Sequence, residues 1–165
     1  MKTRPKTRPP KKFWDKIFES IAIMGLLIGI YLAIQAWSNL PTTIPIHFDA
    51  AGNADGFGPK GMIWLLPAIG VVMVPAMLFL RRVPLLSNLP FGITEENASY
   101  PSGLIIGLLS LLACFVSLLF WLLVYDTISI AFGGSSLLGW LFMPIFLTGI
   151  MGPIIWYFIA TLRGQ

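Results

Sequence analysis

Four stretches of this chain, 17–37, 62–80, 104–125 and 137–162, are each apolar over roughly the 20 residues that carry an α-helix across a bilayer. Hydrocarbon offers no partner to a backbone N–H or C=O, so each stretch must close its own hydrogen bonds as a helix. This constraint predicts an all-α integral membrane bundle of four transmembrane helices. Composition agrees, because 11% charged residues cannot cover a water-soluble surface, which uses about 25%.

Charge sets the expected orientation. Seven of the eleven Lys and Arg precede residue 17, in a basic tail (1–16) whose prolines disfavour a helix before Phe13. Arg81, Arg82 and Arg163 fall at span ends on the same side, and the opposite side holds only Lys60. The positive-inside rule then puts both termini in the cytoplasm, with 17–162 as an uncleaved multi-pass domain of the cell membrane. A tail beside a membrane also accounts for the basic pI without nucleic acid. Trp37, Trp64, Tyr125 and Trp140 at one set of span ends, and Trp14, Trp156 and Tyr157 at the other, read as interfacial anchors.

Within the spans, Gly25–Gly29 and Gly103–Gly107 have the GxxxG spacing that brings helix backbones close. Pro67, Pro75, Pro144 and Pro153 predict kinks. Cys114 reads as a packed, inert thiol. No ionisable residue falls near a span centre, which counts against proton-pump and ion-coupled mechanisms. In the 82–102 loop, Thr94 followed by Glu95 and Glu96 resembles a helix N-cap. The 126–136 loop offers a Gly133-Gly134 turn and no site.

The chemistry is concentrated in 40–61, LPTTIPIHFDAAGNADGFGPKG. Pro41 and Pro45 force an extended path away from the first helix. Gly52, Gly56 and Gly58 permit turns with φ above zero. Ile44, Ile46 and Phe48 alternate with Pro45 and His47, so one face can meet membrane or bundle. His47 and Asp49 then project together from an extended segment. Three readings of His47, Asp49, Asn53, Asp55 and Lys60 stay open. They could hold a metal, though the partial calcium-loop pattern has Ala51 at one ligand position and no distal glutamate. They could serve acid–base chemistry, which needs a second cluster. They could satisfy the backbone of a folded cap that recognises a partner. No cofactor and no catalytic residue is indicated, so a binding role is favoured over an enzyme. The expected partners are the lipid bilayer and another membrane protein or a peptide.

Leu40-Pro41, Ile44-Pro45, His47-Phe48, Gly52 and Asp55-Gly56, followed by Lys60, resemble the LP-x-x-IP-x-HF-x-x-x-G-x-x-D motif of the bacterial membrane family known as domain of unknown function 1648. Ile93-Thr94-Glu95-Glu96-Asn97-Ala98 with Tyr100 is similar to a second stretch of that family, so the resemblance covers roughly 17–100. It implies a multi-span bacterial membrane protein. The same domain opens SdpI-like immunity proteins, which guard a producing cell against its own toxin. Those proteins are longer, and the resemblance carries over neither the immunity role nor any catalytic residue. A metal-dependent membrane enzyme, a small transporter or a structural subunit of a membrane complex are the rival functions.

Overall fold

The computed structural model describes residues 13–81 and 99–163, with side chains in the second segment from 103 onward. The expectations for most of the basic tail and for Thr94, Glu95, Glu96 and the stretch around them lie outside the described residues.

Helix α1 runs Phe13–Ala36, α2 Leu65–Leu80, α3 Ser99–Ala131 and α4 Phe142–Arg163. All four apolar stretches are therefore helical, and with its flanking 3₁₀ turns each is long and apolar enough to cross a membrane. The chain is a multi-pass α-helical membrane protein. Between α1 and α2 the polar segment forms an antiparallel hairpin, β1 Thr43–Phe48 and β2 Ala54–Pro59. A 3₁₀ turn at Lys60–Trp64 leads from it into α2.

The close approach of α1 to α3 rests on the first GxxxG. A Cβ on Gly25 would lie 2.5 Å from Ser117 Oγ, and one on Gly29 3.3 Å from Trp121 Cβ. The glycines let the helices meet at backbone distance, and there the Ser117 hydroxyl donates to the Ala22 carbonyl at 2.6 Å. Such a bond suits a setting with no water to compete. The second GxxxG is not a seam of this kind. A Cβ on Gly103 meets nothing within 4 Å, and on Gly107 the nearest atom is the Trp156 ring at 3.8 Å. That face of α3 meets side chains, not another helix backbone.

Ala22, Val74, Leu78, Ala113 and Cys114 form the core shared by α1, α2 and α3. The cysteine is packed there as expected. Helix α4 leans on α3 alone among the helices it packs against extensively, and only 6% of its span window is buried, against 50% for α3. Most of its surface is left uncovered by the other described residues. Two of the four prolines break no helical bond: Pro67 and Pro144 lie in first turns, where the missing N–H has no partner to lose. Only Pro75 and Pro153 are helix-internal.

Two polar features depart from expectation. Arg81, read as a topology marker, is 2% exposed: its guanidinium pairs with Glu19 of α1 and donates to the Leu78 carbonyl at 3.2 Å and to Ser110 Oγ on α3 at 2.9 Å. Helix α3 also continues past Tyr125 to Ala131, so Asp126 sits in a helix and not in a loop. The Gly133-Gly134 pair then closes α3 as a Schellman cap, with Gly134 N–H bonded to Ser129 O at 2.8 Å and Gly133 N–H to Ile130 O at 2.9 Å.

Candidate functional site

The hairpin is seated on one end of the bundle. Ile44 is fully buried and joins Ala33, Ala36, Leu40, Ile63 and Val124, so one β1 side chain plugs the ends of α1, α2 and α3. The expected alternation does not hold: Ile44 and Pro45 are both buried while Ile46 and His47 are exposed, and the pairing has two register irregularities, between Pro45 and His47 and between His47 and Phe48. An edge strand with a proline, which lacks one ladder donor, tolerates such bulges. The bulges undo the expected projection of His47 beside Asp49.

His47 instead reaches across the hairpin, where Nδ1 lies 2.5 Å from Asp55 Oδ1 on the exposed side. A carboxylate on one ring nitrogen fixes the ring's orientation. Asp49 turns inward on its own loop: Oδ1 accepts the N–H groups of Ala51 at 2.9 Å and Asn53 at 2.8 Å, while Oδ2 accepts Asn53 Nδ2 at 3.1 Å. It is an Asx-turn residue and not a ligand reaching outward. Lys60 is elsewhere again, donating to the Trp37 carbonyl at 3.3 Å. Its Nζ sits 4.7 Å from the Trp37 ring centre, where it caps the end of α1. The five polar residues therefore divide into a His47–Asp55 pair, an Asp49–Asn53 turn and a Lys60 cap, and among the described residues no three His, Cys, Asp or Glu gather as a metal would require.

The glycines are also used differently from expectation. Among them only Gly52 has positive φ, at 82°. Gly56 and Gly58 lie in β2, where a Cβ would come within 2.8 Å of His47 Cβ and of Ile46 Cδ1 respectively. They make room for cross-strand neighbours.

The turn is pH-sensitive through Asp49. The Asn53 backbone N–H, then its side-chain amide, holds the Asp49 carboxyl below its ordinary value of 3.8. A depressed folded-state pKa stabilises the turn above the unfolded value and is lost as pH falls through the folded one. Hydrogen-exchange protection at the Ala51 and Asn53 amides is expected to hold at neutral pH and fall below about pH 4. Asp49→Asn should flatten that dependence. Equal protection of these amides in the wild type and in Asp49→Asn at neutral pH would refute this role.

Beneath the hairpin lies a cavity of about 350 Å³. Its walls come from β1 and the hairpin tip, the start of α2, the end of α3 and the start of α4, and are mostly apolar: Ile44, Ile63, Leu66, Leu123, Val124 and Phe142. The polar groups on it are His47, Asp126, Thr127 and Ser136. Of the residues expected to form a site, His47, Pro45 and Gly52 touch this cavity, whereas Asp49, Asn53, Asp55 and Lys60 do not line it.

Asp126, 3% exposed, was not expected there. Its Oδ1 accepts Leu137 N–H at 2.7 Å, and its Oδ2 accepts Ser136 Oγ at 2.7 Å and Leu138 N–H at 3.1 Å. The carboxylate thereby satisfies the amides of the connection just before the 3₁₀ turn at Gly139–Leu141 that leads into α4. A weak sequence signal existed, an acid at a span end with Ser135-Ser136 opening the next span.

The molecule is thus a membrane helix bundle carrying a hairpin-covered cavity at one end. Residues 23–71, from within α1 through the hairpin into α2, match the family described as Domain of unknown function (DUF1648). It is also similar to an uncharacterized protein of Archaeoglobus fulgidus, with 32% identity over 88 residues, covering 45% of this chain and 48% of the relative. The chain therefore spans about half the length of the relative it matches. No solved structure matches.

Proposed function

We propose that this is a binding or sensing protein of the cell membrane, with both termini in the cytoplasm and the hairpin outside, which holds a small ligand in the cavity beneath the hairpin. The carrying observation is the placement of that cavity: the family-matched hairpin roofs it, and α2, α3 and the α3–α4 connection all contribute walls. Its volume, about 350 Å³, is at the lower end of the range for small-molecule sites, and an apolar lining with few polar groups is the usual composition of such sites. The charge asymmetry of the span ends supports the sidedness. An immunity role would be one use of such a site, with the toxin or a fragment of it as the ligand.

The test is a thermal-unfolding screen of the full chain in detergent against a panel of peptides, sugars and amphiphiles. At least one class is expected to raise Tm, since a ligand at 100 times its Kd adds about 2.7 kcal/mol. Leu123→Trp, which fills the cavity, should abolish the shift. A panel that shifts neither protein, or shifts both equally, counts against a site there. Labelling of Asn53→Cys in whole cells by an impermeant maleimide checks the sidedness, and labelling only after lysis would reverse it.

A further inference from the structure

Resting on that reading, the chemistry of the cavity narrows its occupant. The rim is apolar and open: Ile46, Met62 and Leu65 line it and are 44%, 38% and 48% exposed. Met62 and Leu65 lie close in sequence to Trp64, which pairs with Trp37 at 6.0 Å between ring centres, and tryptophan favours the depth of the membrane interface. Helices α2 and α4 each pack on α3, with no comparable packing between them, and the cavity reaches the first turns of both. Its greasy rim is thus continuous with the lipid-facing surface of the spans. On this side of the mouth a polar, water-borne ligand finds no matching group; the exposed His47, paired with Asp55, belongs to the hairpin edge.

Inside, the polar groups differ in availability. Both Asp126 oxygens are occupied by Ser136, Leu137 and Leu138, so no free carboxylate waits for a cation. Thr127 is 8% exposed, lines the cavity, and its hydroxyl makes no side-chain hydrogen bond to another described residue. The hydroxyl oxygen is not itself enclosed, so it is open to an occupant of the cavity. A carbonyl or hydroxyl oxygen on the occupant would supply the missing acceptor.

We propose that the cavity takes one acyl chain of a bilayer lipid, entering sideways between α2 and α4, with a chain-borne oxygen accepting from Thr127 Oγ1. The small volume admits a chain and leaves the headgroup at the surface beside the hairpin.

The test uses the full chain in phosphatidylcholine vesicles containing a fraction of phosphatidylcholine with a photoreactive diazirine on one acyl chain. After irradiation, adducts mapped by mass spectrometry are expected to concentrate on 63–66 and 123–127. In Leu123→Trp they should fall at least about fivefold at those sites and stay constant at lipid-facing Phe158 and Leu162. Thr127→Val, close to isosteric, should lower them roughly three- to tenfold, the equivalent of one lost hydrogen bond, and Thr127→Ser should restore them. Labelling as strong at Phe158 as at the cavity walls, or indifferent to both variants, overturns the proposal. So does labelling there by a photoreactive free fatty acid or peptide when the lipid probe fails, an outcome that leaves the broader binding reading intact.

Discussion

Arg81→Ala is expected to destabilise the bundle by about 3–5 kcal/mol, the cost of removing one partner from a buried ion pair. Arg81 closes the end of the bundle opposite the hairpin. Nearly all of its side chain is buried, and its donors reach three elements: Glu19 on α1, the Leu78 carbonyl on α2 and Ser110 on α3. Truncation takes the guanidinium away from the Glu19 carboxylate, itself only 20% exposed. It also frees an α2 carbonyl. The pair variant Glu19→Leu with Arg81→Met should recover most of the loss, because replacing both charges with apolar groups of similar size is often neutral. Reversible unfolding in mixed micelles, followed by helix content against denaturing detergent, measures both. Equal losses in the single and the pair variant would mean that Arg81 contributes packing and not charge pairing.

The contrast between the two ends of the bundle explains how much could be read in advance. The four spans were legible because a bilayer leaves an apolar run of about 20 residues with one solution, and the first GxxxG marked a true seam. Half of the hairpin was legible too. Strand β1 carries Ile44, Ile46 and Phe48 in alternation, but β2, ADGFGP, holds two glycines, an aspartate and a proline, the residues of a turn. Its glycines serve the opposing side chains of His47 and Ile46, a reason that exists only once the strands are paired.

The site was legible by residue type and not by partnership. His47 does pair with an aspartate, but with Asp55 across the hairpin, because bulges rotate the strand and Asp49 is consumed by its own turn. The Glu19–Arg81 pair and the bonding of Asp126 to the connection before α4 join residues distant in sequence or assigned to different elements. Each charge looked like a span-end charge because local polarity carries no record of which distant group meets it. The cavity was invisible for the same reason: Thr127 and Phe142 are unremarkable until the hairpin is placed above them.

The second large effect is expected at the hairpin tip. Gly52 has φ 82°, a conformation that costs a residue with a side chain about 1–2 kcal/mol. It is also pressed against the α3–α4 connection, where a Cβ would fall 2.4 Å from the Gly139 carbonyl carbon and 2.5 Å from its Cα. Those atoms are backbone and cannot rotate away, so Gly52→Ala must either lift the tip or displace Gly139. Both glycines line the cavity, and either movement opens it. Gly133 provides the comparison, with the same φ of 82° and nothing within 4 Å of a Cβ. Gly133→Ala should lose only the conformational cost, about 1–2 kcal/mol. Gly52→Ala should lose roughly 1–2 kcal/mol more, the order of an overpacked contact, together with amide protection in 43–59 and lipid labelling at 123–127. Two alanines at one backbone angle thereby separate strain from docking, and if they behave alike, the tip does not hold the cavity closed.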